Sequence, residues 1–322
     1  MEHRPVDLGQ VKTIPLGERT NKVAAEQFAR PAQEGRSFRD FLASLPHILA
    51  GNDLRAVIDA IVTARRNGRP VVMGLGAHVI KCGLGPLLID LMQRRILTAL
   101  ALNGSGAIHD CEIALIGETS EDVAAGLKDG TFGMVRETGD LINRAVNRAL
   151  EQPDRGMGAL LGESLETSAA PHRQYSLLTA GHRLDVPVTV HVAIGTDIVH
   201  MHPHVSGAAL GEATMIDFRR LCAVVATLEQ GVWLNLGSAV MLPEVFLKAV
   251  SVAHNFGHSL DGLVTVNFDK EIHYRSRVNV LDRPSSEGIE LIGHHEILLP
   301  LLHAAVACKL AVAIPAPQAQ AA

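Results

Sequence analysis

The sequence predicts an α/β fold: a mostly parallel sheet with helices on both faces. Three observations predict it. Short apolar runs ending in glycine or a polar residue alternate with longer amphipathic stretches, the pattern of strands feeding crossover helices. Hydrophobic residues are 47% of the chain and aromatics only 3%, so the core must come from Ala, Val, Leu and Ile, which suits close helix-on-sheet packing. No repeat of 20–50 residues is evident, which sets solenoids aside. The 322 residues allow one large α/β domain or two smaller ones.

Residues 1–35 mix charge, glycine and proline and read as a surface arm. Arg36 to Leu49 and Asn52 to Arg66 are amphipathic and predict helices, the second N-capped by Asn52. Arg69 to Gly76 reads as a buried strand, Gly83 to Arg94 as a helix, and Ile96 to Leu102 as a second strand broken by Asn103-Gly-Ser-Gly106. Thr138 to Ala169 looks all-helical. Val186 to Ile194, Val232 to Leu236 and Leu263 to Asn267 read as strands; Ala213 to Glu229, Pro243 to Phe256 and His294 to Leu310 read as helices. The domain is expected over residues 36–313, with 314–322 a disordered Ala/Pro/Gln tail.

The net charge is −5 with no basic stripe, which argues against a nucleic-acid partner. Cys82, Cys111, Cys222 and Cys308 are far apart and make no CxxC pair, as expected of reduced thiols in a cytoplasmic protein. The opening MEHRPVDLGQVK has no apolar signal segment, and no apolar run has membrane length, so no membrane association is expected.

Open α/β sheets bind ligands at the carboxyl ends of their strands. Every predicted strand here ends in Gly, Asn, Asp or His: Gly74-Leu-Gly76-Ala-His78, Asn103-Gly-Ser-Gly106 with His109-Asp110, Gly195-Thr-Asp197 with His200, His202 and His204, Asn235 to Ser238, and Asn267-Phe-Asp269. One shared pocket is expected. Within it, Gly74 to Gly83 could hold a phosphate, or be an ordinary turn, because Val79 stands where a dinucleotide fingerprint has its third glycine. His109-Asp110 could be an acid–base couple, or Asp110 a helix N-cap. His200, His202 and His204 could be metal ligands, a polar rim or a structural loop; Pro203 breaks the strand and H-E-x-x-H is absent, so no metal is assigned. His294-His295-Glu296 could meet an anion or merely cap the last helix. Lys81 and Lys270 could contact phosphate, act as nucleophiles, or be plain surface charge.

Several segments, in constant order from about Pro70 to Val312, resemble deoxyhypusine synthase. GAHVIKCG, NGSGAIHDCE, Ala193 to Asp197, Leu263 to Asn267 with Glu271, and Ile297 to Leu302 carry the resemblance. It implies one Rossmann-like domain, bound NAD, and a homotetramer with active sites between subunits. By position, it implies NAD contacts at Gly76, Ala77, His78, Lys81, Asn103, Gly104, Ser105, Asp197, Asp269, His294 and His295. The departures are specific. The family's S-W-G-K, with its catalytic lysine, corresponds to Ser286-Glu-Gly-Ile289 here, and its G-G-G-x-x-K-H-H to Leu236 through Pro243. Deoxyhypusine synthesis through that lysine is therefore not expected. The resemblance instead implies NAD-dependent oxidation or transfer on another small molecule. With lysine and tryptophan replaced and histidines gathered, the expected substrate is neutral or anionic. His109, Asp110, His200, His202 and Glu212 are the expected acid–base and orienting groups. The rivals are a non-catalytic NAD- or ligand-binding oligomer, and a metal-dependent hydrolase or lyase using the His200–His204 loop.

Overall fold

A computed structural model describes residues 3–31 and 33–311. The tail expected at 314–322 lies outside the described residues. These residues form two compact units that divide between Asn52 and Asp53. The first holds three short 3-10 turns and one helix, α1 (Phe38–Ser44), and none of its described residues is buried. α1 is started by a reciprocal cap: the Asp40 amide donates to Ser37 Oγ (3.3 Å), and the Ser37 amide to Asp40 Oδ2 (3.1 Å). The expected helix to Leu49 stops at Ser44; Pro46 follows two residues later and disfavours helix at Leu45.

Helix α2 (Ala50–Arg66) leads into the second unit. It begins two residues before the predicted cap, so Asn52 lies inside it and donates back to the His47 carbonyl (3.2 Å). The remaining elements are β1 (Val71–Leu75), α3 (Ala77–Lys81), α4 (Gly85–Gln93), β2 (Ala99–Asn103), α5 (Gly104–Ile116), α6 (Val123–Asp129), α7 (Arg136–Asn147), α8 (Met157–Thr167), α9 (Leu177–Leu184), β3 (Val188–His191), α10 (Gly207–Val225), β4 (Val232–Leu236), α11 (Met241–Asn255), β5 (Val264–Asp269), α12 (Tyr274–Ser276, running into a π turn, Arg277–Asp282), β6 (Glu287–Ile292) and α13 (His295–Leu310). All six strands are parallel, in the order β3-β2-β1-β4-β5-β6. This is the Rossmann order, and the strand sequence reverses between β1 and β4.

β1 and β4 are buried at every residue, as the apolar runs of a central parallel strand require. On one face, Trp233 of β4 stacks on Phe246 of α11, with ring centroids 4.1 Å apart and planes 8° from parallel. Val72, Leu221, Val225, Leu242 and Ala249 pack into the same cluster. The core is thus aliphatic, as composition predicts, but centred on one aromatic pair. No described helix is long and apolar enough to cross a membrane.

Candidate functional site

At the reversal, the ends of β1 and β4 nearly touch. The Gly76 amide donates to the Leu236 carbonyl at 2.8 Å, and a Cβ on Gly76 would lie 1.9 Å from the Gly237 carbonyl oxygen. Gly237 itself has φ +62°, and a Cβ there would come 2.8 Å from His295 Nε2. Only glycine fits at either place. Around these strand ends stand His78 of α3, Asp269 at the end of β5, and His295 in the first turn of α13. His295 is 3% exposed, its Nε2 is 3.9 Å from Asp269 Oδ1, and its ring lies 6.0 Å from that of His78. Burial pushes the His295 imidazole below its usual range, with Asp269 opposing. Its Nδ1 is buried without a partner among the described residues. The predicted residues Gly76, Ala77, His78, Asp269, His294 and His295 thus fall at one edge.

On the same edge, at the ends of β2 and β3, lies a cavity of about 240 Å³ lined in part by Lys81, Ser105, His109, Glu112, Thr196 and Asp197. Asn103 caps α5 by accepting from the Gly106 amide at 2.9 Å. The expected break at Asn103 is therefore the start of a helix, and His109 and Asp110 lie within its second turn. Asp197 lays its carboxylate at the head of α5, where the helix dipole favours negative charge. A Cβ on Gly104 would meet Asp197 Oδ2 at 2.0 Å. Ser105 Oγ donates to Asp197 Oδ1 at 3.1 Å. Burial raises the Asp197 carboxyl above the ordinary range, against Ser105 and His200. His200 Nδ1 accepts the amides of Gly195 (3.1 Å) and Asp197 (3.3 Å), which leaves its proton on Nε2, 4.0 Å from Asp197 Oδ2.

His109 is held by a relay. Thr119 Oγ1 donates to Glu112 Oε2 (2.5 Å) and accepts from His109 Nδ1 (2.6 Å). The proton is then on Nδ1 and Nε2 is free to accept. Burial raises Glu112, but the hydrogen bonds from His109 and Thr119 outweigh it and hold the carboxyl below its usual value. A second cavity of about 640 Å³ shares Glu112 and is lined by Glu118, Glu121 and Glu137 with apolar Leu115 and Val135; no Lys or Arg is among its lining residues. Of these carboxylates, Glu137 lies 3.4 Å from Arg136 and Glu112 is engaged by the His109 relay. Thr119 and this acidic lining had no motif to announce them, and Glu112, which ends the NGSGAIHDCE stretch, was given no role there, because the relay closes only when α5 and the loop after it are folded.

Other predicted site residues are placed elsewhere. Asp110 points away from His109: Ser176 Oγ (2.6 Å) and the amides of Leu177 (2.7 Å) and Leu178 (3.1 Å) all donate to it, so it caps α9 and not its own helix. His202 is buried and donates through Nε2 to the Gly133 carbonyl at 2.8 Å, pinning its loop. His204 is exposed, 3.6 Å from Asp140. The three alternating histidines therefore diverge, and they form no metal cluster among the described residues. Glu212 pairs with Arg219 (3.7 Å) on α10, outside both cavities. Ile289, set against the family's lysine, sits mid-strand in β6 opposite Val266 and short of the carboxyl end.

Asp110 has a counterpart in Asp217 of α10, which accepts the amides of Gly158 (2.9 Å) and Val190 (2.8 Å). Burial lifts Asp110 to about 6 and Asp217 to about 7, from 3.8. A carboxyl raised on folding holds a proton the unfolded chain has lost. Its stabilising contribution is complete below about pH 4 and is lost as pH rises through 6 to 7. His191, held down to about 4 by burial, changes in the opposite sense, so the comparison needed is between variants. Asp217→Asn should gain stability relative to wild type between pH 5 and pH 8, by about 2 kcal/mol at the ~1.4 kcal/mol that each pKa unit represents. Urea unfolding at the two pH values measures it; a difference independent of pH would refute the neutral buried carboxyl.

No protein-family model matches the chain, and no curated protein matches it. Solved structures do share its fold. The class defined by sheet order is the Rossmann-type α/β protein. Within it the chain has the deoxyhypusine-synthase-like fold: a protein described as a deoxyhypusine synthase from Entamoeba histolytica aligns at TM-score 0.51 and 11% identity, over 87% of this chain and 96% of that one. A conserved LOR/SDH protein from Methanococcus maripaludis S2 aligns at TM-score 0.50 and 16% identity, over 86% and 72%. AgrE, solved with ornithine and NAD+, aligns at TM-score 0.52 and 16% identity over 83% of this chain but 35% of its own length, so this chain spans about a third of AgrE.

Proposed function

We propose that the chain binds NAD along the carboxyl edge of its sheet and carries out NAD-dependent oxidation or transfer on an amine-bearing small molecule. The observation that supports it best is the meeting of Gly76 and Gly237 where the strand order reverses, the place at which open α/β sheets bind ligands, on the same carboxyl edge as the cavity that holds the His109–Thr119–Glu112 relay. The residues fit the nucleotide in part. Val79 is fully buried and stands where the common dinucleotide fingerprint has its third glycine, so that fingerprint is incomplete here. Asp197, steadied by Ser105, instead brings a carboxylate to the neighbouring helix head, and His295 offers a buried, unpartnered ring nitrogen.

Gly76, Ala77, Asp197 and His295 would hold NAD, which supplies a hydride acceptor when bound. The carboxylates of Glu112, Glu118, Glu121 and Glu137 attract and orient a cationic group. His109, its Nδ1–H committed to Thr119, receives a substrate proton at Nε2. Calorimetric titration with NAD tests the reading: wild type should bind, and Asp197→Ala should lose roughly 10- to 100-fold in affinity, the weight of one or two charge-assisted hydrogen bonds. A screen of small amines should then raise NADH absorbance. Absence of NAD binding by the wild type would sink the proposal; NAD binding with no turnover across the screen would favour the non-catalytic oligomer.

A further inference from the structure

We propose that His78, Cys82 and Glu296 form a binding site for a divalent transition-metal ion of the zinc class, joining α3 to the first turn of α13. His78 and Cys82 are four residues apart across α3 and its C-cap, so their side chains lie on one helical face. Glu296 reaches them from an element more than 200 residues later; Cys82 Sγ and Glu296 Oε2 are 3.7 Å apart. One donor atom from each of the three lies within 4.8 Å of the others. A tetrahedral ion with Zn–S near 2.3 Å and Zn–O near 2.0 Å sets sulfur and oxygen about 3.5 Å apart, so little movement is needed. No other His, Cys, Asp or Glu group among the described residues meets the same geometry.

The donor set selects the ion. Thiolate and imidazole beside one carboxylate suit zinc, cobalt or nickel and are poor ligands for magnesium or calcium, which take oxygen. Binding replaces the Cys82 thiol proton, which passes to solvent. His78 and Glu296 are exposed and Cys82 is half-buried, so an ion can enter from solvent. His294 Nδ1, 3.6 Å from Glu296 Oε1, is positioned to steady that carboxylate, and water completes the coordination. His78 thereby becomes a metal ligand, in place of the nucleotide contact expected from its position. The site stands independently of NAD binding.

The test uses the full chain, stripped with a chelator and dialysed. It is titrated with zinc against a chromophoric competitor and, separately, loaded with cobalt. The expected result is one zinc per chain and a near-ultraviolet thiolate-to-cobalt band. Cys82→Ser should abolish the band, and Cys82→Ser and His78→Ala should each weaken zinc by at least about tenfold while keeping the wild-type circular dichroism spectrum. The proposal is overturned if wild type takes up no stoichiometric zinc, if cobalt binds without the thiolate band, or if both variants bind zinc as tightly as wild type. NAD titration of the same samples separates the two readings: intact NAD binding with no zinc site counts against the metal alone, and zinc binding without NAD counts against the nucleotide alone.

Discussion

Replacing Gly76 with alanine is expected to destabilise the chain by about 2–5 kcal/mol and to remove the proposed NAD binding with it. The new Cβ would sit 1.9 Å from the Gly237 carbonyl oxygen and 2.6 Å from its carbon. Both are backbone atoms, so no side chain can swing aside. Relief requires β1 and β4 to part at their carboxyl ends, stretching the 2.8 Å bond from the Gly76 amide to Leu236. Overpacking typically costs about 1–3 kcal/mol, and a buried amide without its acceptor about as much again. The same parting distorts the place where the strand order reverses. Gly207→Ala is the control: it is helical, and a Cβ there meets nothing within 4 Å. Urea unfolding followed by circular dichroism, with NAD titration, reads both effects. An alanine variant as stable as the control would mean that the strand ends are not in contact.

Trp233→Ala should cost about 3–5 kcal/mol. The indole is fully buried against Phe246, and Gly74 is shaped to it, since a Cβ there would lie 2.9 Å from Trp233 Cζ2. Truncation opens a cavity that two facing layers cannot both close. Trp233→Phe should behave differently. The indole Nε1 is buried with no acceptor among the described residues, and phenylalanine removes that unmet donor while keeping much of the stack. Its cost should stay below about 1.5 kcal/mol. Chemical denaturation followed at far-ultraviolet wavelengths compares the pair; equal losses would show that stacking does not govern this face.

The strands most legible in the sequence were those bounded by glycine. Val232–Leu236 lies between Gly231 and Gly237, and the apolar run reads to the residue. β6 was missed because it is a half-exposed edge strand whose Glu287-Gly-Ile-Glu290 has no apolar run to detect. α3 hid inside a glycine-rich stretch, and five residues are too few to display a helical period. The carboxyl-edge rule brought Gly76, His78, Ser105, His109, Asp197 and Asp269 to one side of the sheet, and the family resemblance added His295. It could not separate neighbours: in α5 consecutive residues point about 100° apart, so His109 faces the cavity while Asp110 turns to α9. The histidine alternation misled for a related reason. Alternation sets side chains together only on a strand, and Ile198–Met201 forms a 3-10 turn.

The pairing of β1 with β4 also sets when this site can exist during synthesis. Val71 meets Val232, some 160 residues later in the chain. A nascent chain can assemble β1, β2 and β3 while β4 is still unmade, leaving the apolar edge of β1 without its neighbour. Such an edge invites pairing with another chain, and a long-range contact is slow to close. The candidate site draws on α13 as well, so it can be completed only after β4, β5 and α13 have all been made. Chaperone cover during translation, and any ligand that locks the halves once they meet, would matter more for this protein than for one whose site lies within a single contiguous segment.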